Sequence, residues 1–153
     1  MDIGIDAKDR KKVAAGLEQV LADTYTLYAK THGYHWNVEG PRFSSLHTLF
    51  ETQYNELWKA LDLIAERMRA LGLYAPSGEN IGERSHIKAD NGVPSDEQML
   101  ANLVTGNEAV VKAARETLET AEDAGDQATA DLMTQRIAAG EKAAWMLRAH
   151  LTK

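Results

Sequence analysis

Four side chains in one stretch, His47, Glu51, Asp62 and Glu66, are of the types that hold divalent metals and sit at helical spacings. On a helix turning about 100° per residue they fall near 0°, 40°, 60° and 100°, so they form one stripe. His47 and Glu51 are neighbours at i,i+4, as are Asp62 and Glu66, and each pair can grip one metal. The rise forbids a single centre built from one helix, because Glu51 and Asp62 lie roughly 16 Å apart along the axis while ligand bonds are near ~2 Å. Two copies of the helix packed antiparallel about a two-fold axis, level with Glu56 and Leu57, would set His47 and Glu51 of one chain against Asp62 and Glu66 of the other. Trp58 and Ala65 share the stripe, a large ring and a small residue, as expected of a buried helix–helix contact. The plainer reading of such a stripe is a solvated, acidic helix face.

A fifth candidate, His35, stands in Thr31-His32-Gly33-Tyr34-His35-Trp36-Asn37-Val38-Glu39-Gly40 and can approach His47 across a turn. Two imidazoles and three carboxylates suit Fe(II), Zn(II) or Mn(II) and are wrong for Cu(I). The chain has no Cys, which excludes disulfides and thiolate sites. Its net charge of −6, from 17 basic and 23 acidic residues, argues against a surface that coats nucleic acid. There is no apolar run long enough for a membrane span and no leader pattern, so a cytoplasmic protein is expected.

These residues need elements to position them. Val13, Leu17, Val20, Leu21, Thr24, Leu27 and Tyr28 recur at three or four residues and predict a helix over about 7–35. A second helix is expected from about 41 to Leu71, stopped at Gly72; its apolar stripe (Leu46, Phe50, Leu57, Leu61, Ile64, Met68, Leu71) lies about 120° from the ligand stripe. Ser95 followed by Gln98 reads as a capping box opening a third helix to about 123. Asp126 can cap a fourth, running to about His150. The short turns between the first and second helices and between the third and fourth make antiparallel hairpins, and residues 72–94 form one long crossover, with a short extra helix over Glu79–Ile87. The expected fold is all-α, a four-helix bundle of ferritin-like topology, in a single domain over 1–153 with 1–7 as a short tail.

The run His35-Trp36-Asn37-Val38-Glu39-Gly40-Pro41-Arg42-Phe43-Ser44-Ser45-Leu46-His47, with Asp62-Leu63-Ile64-Ala65-Glu66-Arg67 and Leu71-Gly72 after it, resembles the Dps family, the miniferritins. The looser match spans nearly the whole chain. The resemblance implies a homododecameric shell with two-iron ferroxidase sites at its two-fold interfaces. It implies oxidation of Fe(II), preferentially by hydrogen peroxide with dioxygen as the other oxidant, storage of ferric mineral, and protection of DNA. Carried over, the ligands are His35, His47 and Glu51 from one subunit with Asp62 and Glu66 from its partner. Glu51 stands where family members often have Asp, and Trp36 matches a Trp beside the site that can trap one-electron oxidants. For an acidic three-fold pore, the candidates are Glu122, Asp126 and Asp131.

A DNA-compacting role is the competing function, and its candidate contacts are Lys8, Arg10, Lys11 and Lys12, set against Asp2, Asp6 and Asp9 within residues 1–12, a net of +1. That balance predicts weak, salt-sensitive binding. A metal-free helical interaction module is the third reading. Glu83-x-x-His86 in the crossover is read as a decoy, His32 as a helix-end histidine that could support the site from behind, and the Met and Trp residues of the fourth helix as core.

Overall fold

The computed structural model describes residues 1–152. Four long helices form the bundle: α1 (Ala7–Asn37), α2 (Phe43–Ala70), α3 (Asp96–Asp123) and α4 (Gln127–Ala149), with a 3-10 helix, Gly78–Arg84, in the crossover. No strand occurs among the described residues. The expected boundaries hold to within two or three residues, and the extra helix is a 3-10 turn ending before Ile87.

Local chemistry sets each helix end. Ser95 accepts the backbone N–H of Gln98 and opens α3. The reciprocal half of the expected box is missing, because the Gln98 amide turns outward to Asn102 instead. Asp126 accepts from the Thr129 N–H and opens α4. Gly72 closes α2 at φ +86°, a left-handed conformation that favours glycine.

α1 packs along α2 and α3, α3 packs along α4, and α2 and α4 meet sparingly. The core is continuous in type but gathers at two levels, one around Leu17, Leu21, Ile64, Met68 and Met133, the other around Leu27, Leu46, Phe50, Leu100 and Leu147. The predicted stripe of α2 is buried, except Leu61, which is half-buried. One expectation for α4 fails: Met133 is core, but Trp145 is 61% exposed. Position 145 turns away from α3, where small Gly140 and Ala144 let the two helices approach closely.

The crossover is pinned by buried polar groups. Asp23 is fully buried on α1 and accepts the His86 backbone N–H at 2.6 Å, His86 Nδ1 at 2.9 Å and the Ser85 hydroxyl at 3.1 Å. His86 thereby anchors the crossover to α1. Further on, the Tyr34 hydroxyl donates to Asp90, which also pairs with Lys30.

The N-terminal segment departs from expectation. It is docked on the bundle: Ile5 packs on the core, the Met1 side chain lies over Gly72, and Asp6 stands at the N-cap position of α1 without a side-chain capping bond. Lys8, Arg10, Lys11 and Lys12 therefore sit on the first turns of a helix. Lys8, Lys11 and Lys12 are exposed, while Arg10 is partly buried and Lys12 pairs with Asp9 at 3.4 Å.

Candidate metal centre

His35 lies in the last turn of α1 and His47 in the second turn of α2, so the short connection between the helices brings the two rings face to face. Their centroids are 3.7 Å apart and their planes differ by 16°. Each ring bonds the other residue's backbone. His35 Nδ1 donates to the His47 carbonyl at 2.8 Å, and His47 Nδ1 donates to the His35 carbonyl at 2.8 Å. A carbonyl oxygen only accepts, so both rings carry their proton on Nδ1. In the neutral ring this leaves the lone pair on Nε2, the form in which imidazole binds a metal. His35 is 8% exposed, and Phe43 stacks on the outer side of His47 at 5.0 Å.

Glu51 is one turn along α2 from His47 and exposed. Asp62 and Glu66 are exposed on the same face, and among the described residues none of these three carboxylates has an ion pair or a side-chain hydrogen bond. Trp58, on that face, is 58% exposed and Ala65 is half-buried. The stripe thus faces away from its own bundle. Within one chain it does not close into a centre: among the described residues no three His, Asp or Glu side chains come together to hold a metal.

The remaining candidates separate. Trp36 is exposed on the last turn of α1. Glu122 and Asp131 are exposed near the α3–α4 turn, where Asp131 accepts from Gln135. Asp126 must be withdrawn from the pore set. It is buried, accepts from Arg67 at 2.7 Å and from the Thr129 hydroxyl at 2.6 Å, and has no free face for a channel. Burial by itself would raise the Asp126 carboxyl, but the Thr129 hydrogen bonds and the Arg67 charge outweigh it and hold the group below its ordinary pKa.

Sequence reasoning passed over an aromatic layer beside the centre. Tyr54 stacks on His32 at 3.9 Å and meets the His35 ring edge-on at 5.2 Å. Tyr28 bonds His32 Nδ1 at 3.0 Å and lies 5.2 Å from Trp58. The signal was present as two i,i+4 pairs, Tyr28 with His32 on α1 and Tyr54 with Trp58 on α2.

Residues 14–153 match the ferritin-like domain family. The DNA protection during starvation protein of Brevibacillus brevis is 36% identical over 91% of this chain and 94% of its own length. The chain belongs to the Dps family. An uncharacterised low temperature-induced protein of Nostoc is 41% identical over 99% of this chain and 86% of its own length. The crystal structure of the Dps protein of Vibrio cholerae, described as a member of a broad superfamily of ferritin-like diiron-carboxylate proteins, superimposes with a TM-score of 0.93 at 33% identity. It covers 98% of this chain and 95% of that one. No helix among the described residues is long and apolar enough to cross a membrane.

Proposed function

We propose that this Dps-family chain oxidises Fe(II) as substrate at a two-iron centre shared between two chains, and stores the ferric product inside a twelve-subunit shell in the cytoplasm. The observation that carries this reading is the His35–His47 pair. Two imidazoles locked into the metal-binding tautomer stand beside Glu51, on a face whose other carboxylates, Asp62 and Glu66, lie too far along α2 to serve the same ion. An antiparallel α2 from a second chain would bring Asp62 and Glu66 to that position.

The chain's residues then divide the work. His35 and His47 each hold Nδ1 on a backbone carbonyl, so Nε2 is the nitrogen that each turns to a metal. Glu51, Asp62 and Glu66 neutralise the cations and stabilise Fe(III) over Fe(II), which favours oxidation electrostatically. Hydrogen peroxide takes two electrons, and two neighbouring Fe(II) ions supply one each, so paired irons reduce it to water without releasing hydroxyl radical. Glu122 and Asp131, exposed at the α3–α4 turn, remain our candidates for an acidic entry route. Protection of DNA follows from removing iron and peroxide together. Direct DNA binding would be a weak addition through the exposed Lys8, Lys11 and Lys12.

Mixing subunits tests the shared centre. His47→Ala and Asp62→Ala chains are each inactive alone. In a mixed two-fold pair one centre loses both ligands and the other keeps both. Random pairing makes half the pairs mixed, so about a quarter of wild-type Fe(II) oxidation should return. Recovery near zero, with mass spectrometry showing mixed pairs, overturns the reading.

A further inference from the structure

The aromatic layer beside the metal centre is continuous. From His35 it passes to Tyr54 at 5.2 Å, then to His32 at 3.9 Å from Tyr54 and to Tyr28 at 6.2 Å from Tyr54, and ends at Trp58, 5.2 Å from Tyr28. Trp36 joins as a side branch, 4.3 Å from His32. Tyr and Trp are the side chains that give up one electron most readily, and every step is near van der Waals contact of the rings. Tyr28 differs from the others in having a base aimed at it, His32 Nδ1 at 3.0 Å. Burial, reinforced by the neighbouring Tyr54 and Tyr25, raises the Tyr28 phenol above its ordinary pKa, so at neutral pH it carries its proton. Losing an electron turns that phenol into a strong acid, and a partner able to take the proton makes the loss favourable.

We propose that Tyr54, Tyr28 and Trp58 form a one-electron relay leading from the His35–His47 centre along α2, in which Tyr28, bonded to His32, is where the oxidising equivalent rests. The proposal rests on the iron-oxidising reading of the centre, and it supplies what that reading lacks when only one Fe(II) is bound. One Fe(II) reduces hydrogen peroxide by one electron, giving Fe(III), hydroxide and a hydroxyl radical. The relay delivers the second electron: the radical takes it with a proton from solvent and becomes water. Tyr28 becomes a neutral phenoxyl radical as its proton passes to His32. A later Fe(II) returns an electron to Tyr28, His32 returns the proton, and the phenol is restored. Two Fe(II) are oxidised per peroxide, as when both irons are present together. Trp36 and Trp58 serve as entry points for oxidants that arise outside the centre.

The test uses metal-free protein, so that it does not depend on iron oxidation. Azide radicals generated by pulse radiolysis oxidise exposed tryptophan, and the tryptophan and phenoxyl radicals are followed by their absorbance. The expected result is a tryptophan radical that decays in a first-order step, at a rate independent of protein concentration, as phenoxyl radical grows in. Tyr28→Phe, which keeps the ring and its packing, should remove most of the phenoxyl yield. His32→Gln should slow its formation several-fold with the initial tryptophan yield unchanged, and Tyr74→Phe, on an exposed residue outside the layer, should change nothing. Unaltered phenoxyl yield in Tyr28→Phe, or a rate proportional to protein concentration, overturns the relay. Fast transfer in a protein that fails to oxidise Fe(II) would sink the iron reading and leave the relay standing; normal iron oxidation without transfer does the reverse.

Discussion

Asp62 and Glu66 face solvent without partners, so their charges can be removed at little cost to packing. The double variant Asp62→Asn with Glu66→Gln should keep the helical content and melting behaviour of the parent while losing on the order of 100-fold or more in the rate of Fe(II) oxidation by peroxide, since losing even an outer partner of a metal ligand costs up to that much. Stopped-flow absorbance of the ferric product measures it, and wild-type kinetics in a folded variant would remove both residues from the centre. The stripe containing these acids was legible in the sequence because its phase depends only on the rise and turn of a helix. The pairing of His35 with His47 was legible only as proximity. What holds the rings, two hydrogen bonds to backbone carbonyls, leaves no trace in residue types. Asp126 shows the opposite failure: an acid in a turn reads the same whether it lines a channel or caps a helix, and only Arg67, 59 residues away, decides which.

At the level of elements, that same contact predicts a pH dependence. Asp126 joins α4 to α2 through Arg67 and caps α4 through Thr129. Its folded pKa is lowered from 3.8, so its contribution to stability is fully present above that value and is lost as pH falls through the lower folded value. Asp126→Asn keeps an N-cap but leaves Arg67 without its charge partner, and should cost about 1–3 kcal/mol at neutral pH. Denaturant titrations at neutral pH and in acid should show the gap between parent and variant closing as pH drops below the ordinary carboxylate range. A gap that persists in acid would mean the charge is not what matters. Helix starts and stops were legible because caps and glycines act locally. The course of the crossover was not, since Asp23 and Asp90 hold it through contacts more than 50 residues apart.

For the whole molecule, the shell is the first thing to measure. Twelve copies of a 16.9 kDa chain give a particle of about 200 kDa, which light scattering separates from a monomer or dimer. Trp58, Leu63 and Trp145 are large apolar side chains exposed on the single chain; their accessibility should fall on assembly, and the emission of the two tryptophans should shift to the blue. A stable monomer with these rings exposed would refute the shell. DNA binding should be weak and should vanish at physiological salt, because Lys8, Lys11 and Lys12 sit on a fixed helix rather than on a reaching arm. Substituting all three with Gln should abolish gel retardation at low salt. Retardation unchanged in that variant would place the DNA surface elsewhere. Docking of this segment was not legible from residue types, since the contact that docks it joins Met1 to Gly72, at opposite ends of the α1–α2 hairpin.

The crossed hydrogen bonds of His35 and His47 have a consequence for how this centre can change over generations. Both acceptors belong to the main chain, which every residue type shares, so no substitution at a neighbouring position deletes them. If one histidine is lost, the carbonyl it leaves behind still orients the survivor. The ancestry of the pair can therefore tolerate drift all around it, and a chain that has forfeited one ring retains the other already aimed, one mutation away from recovering the pair.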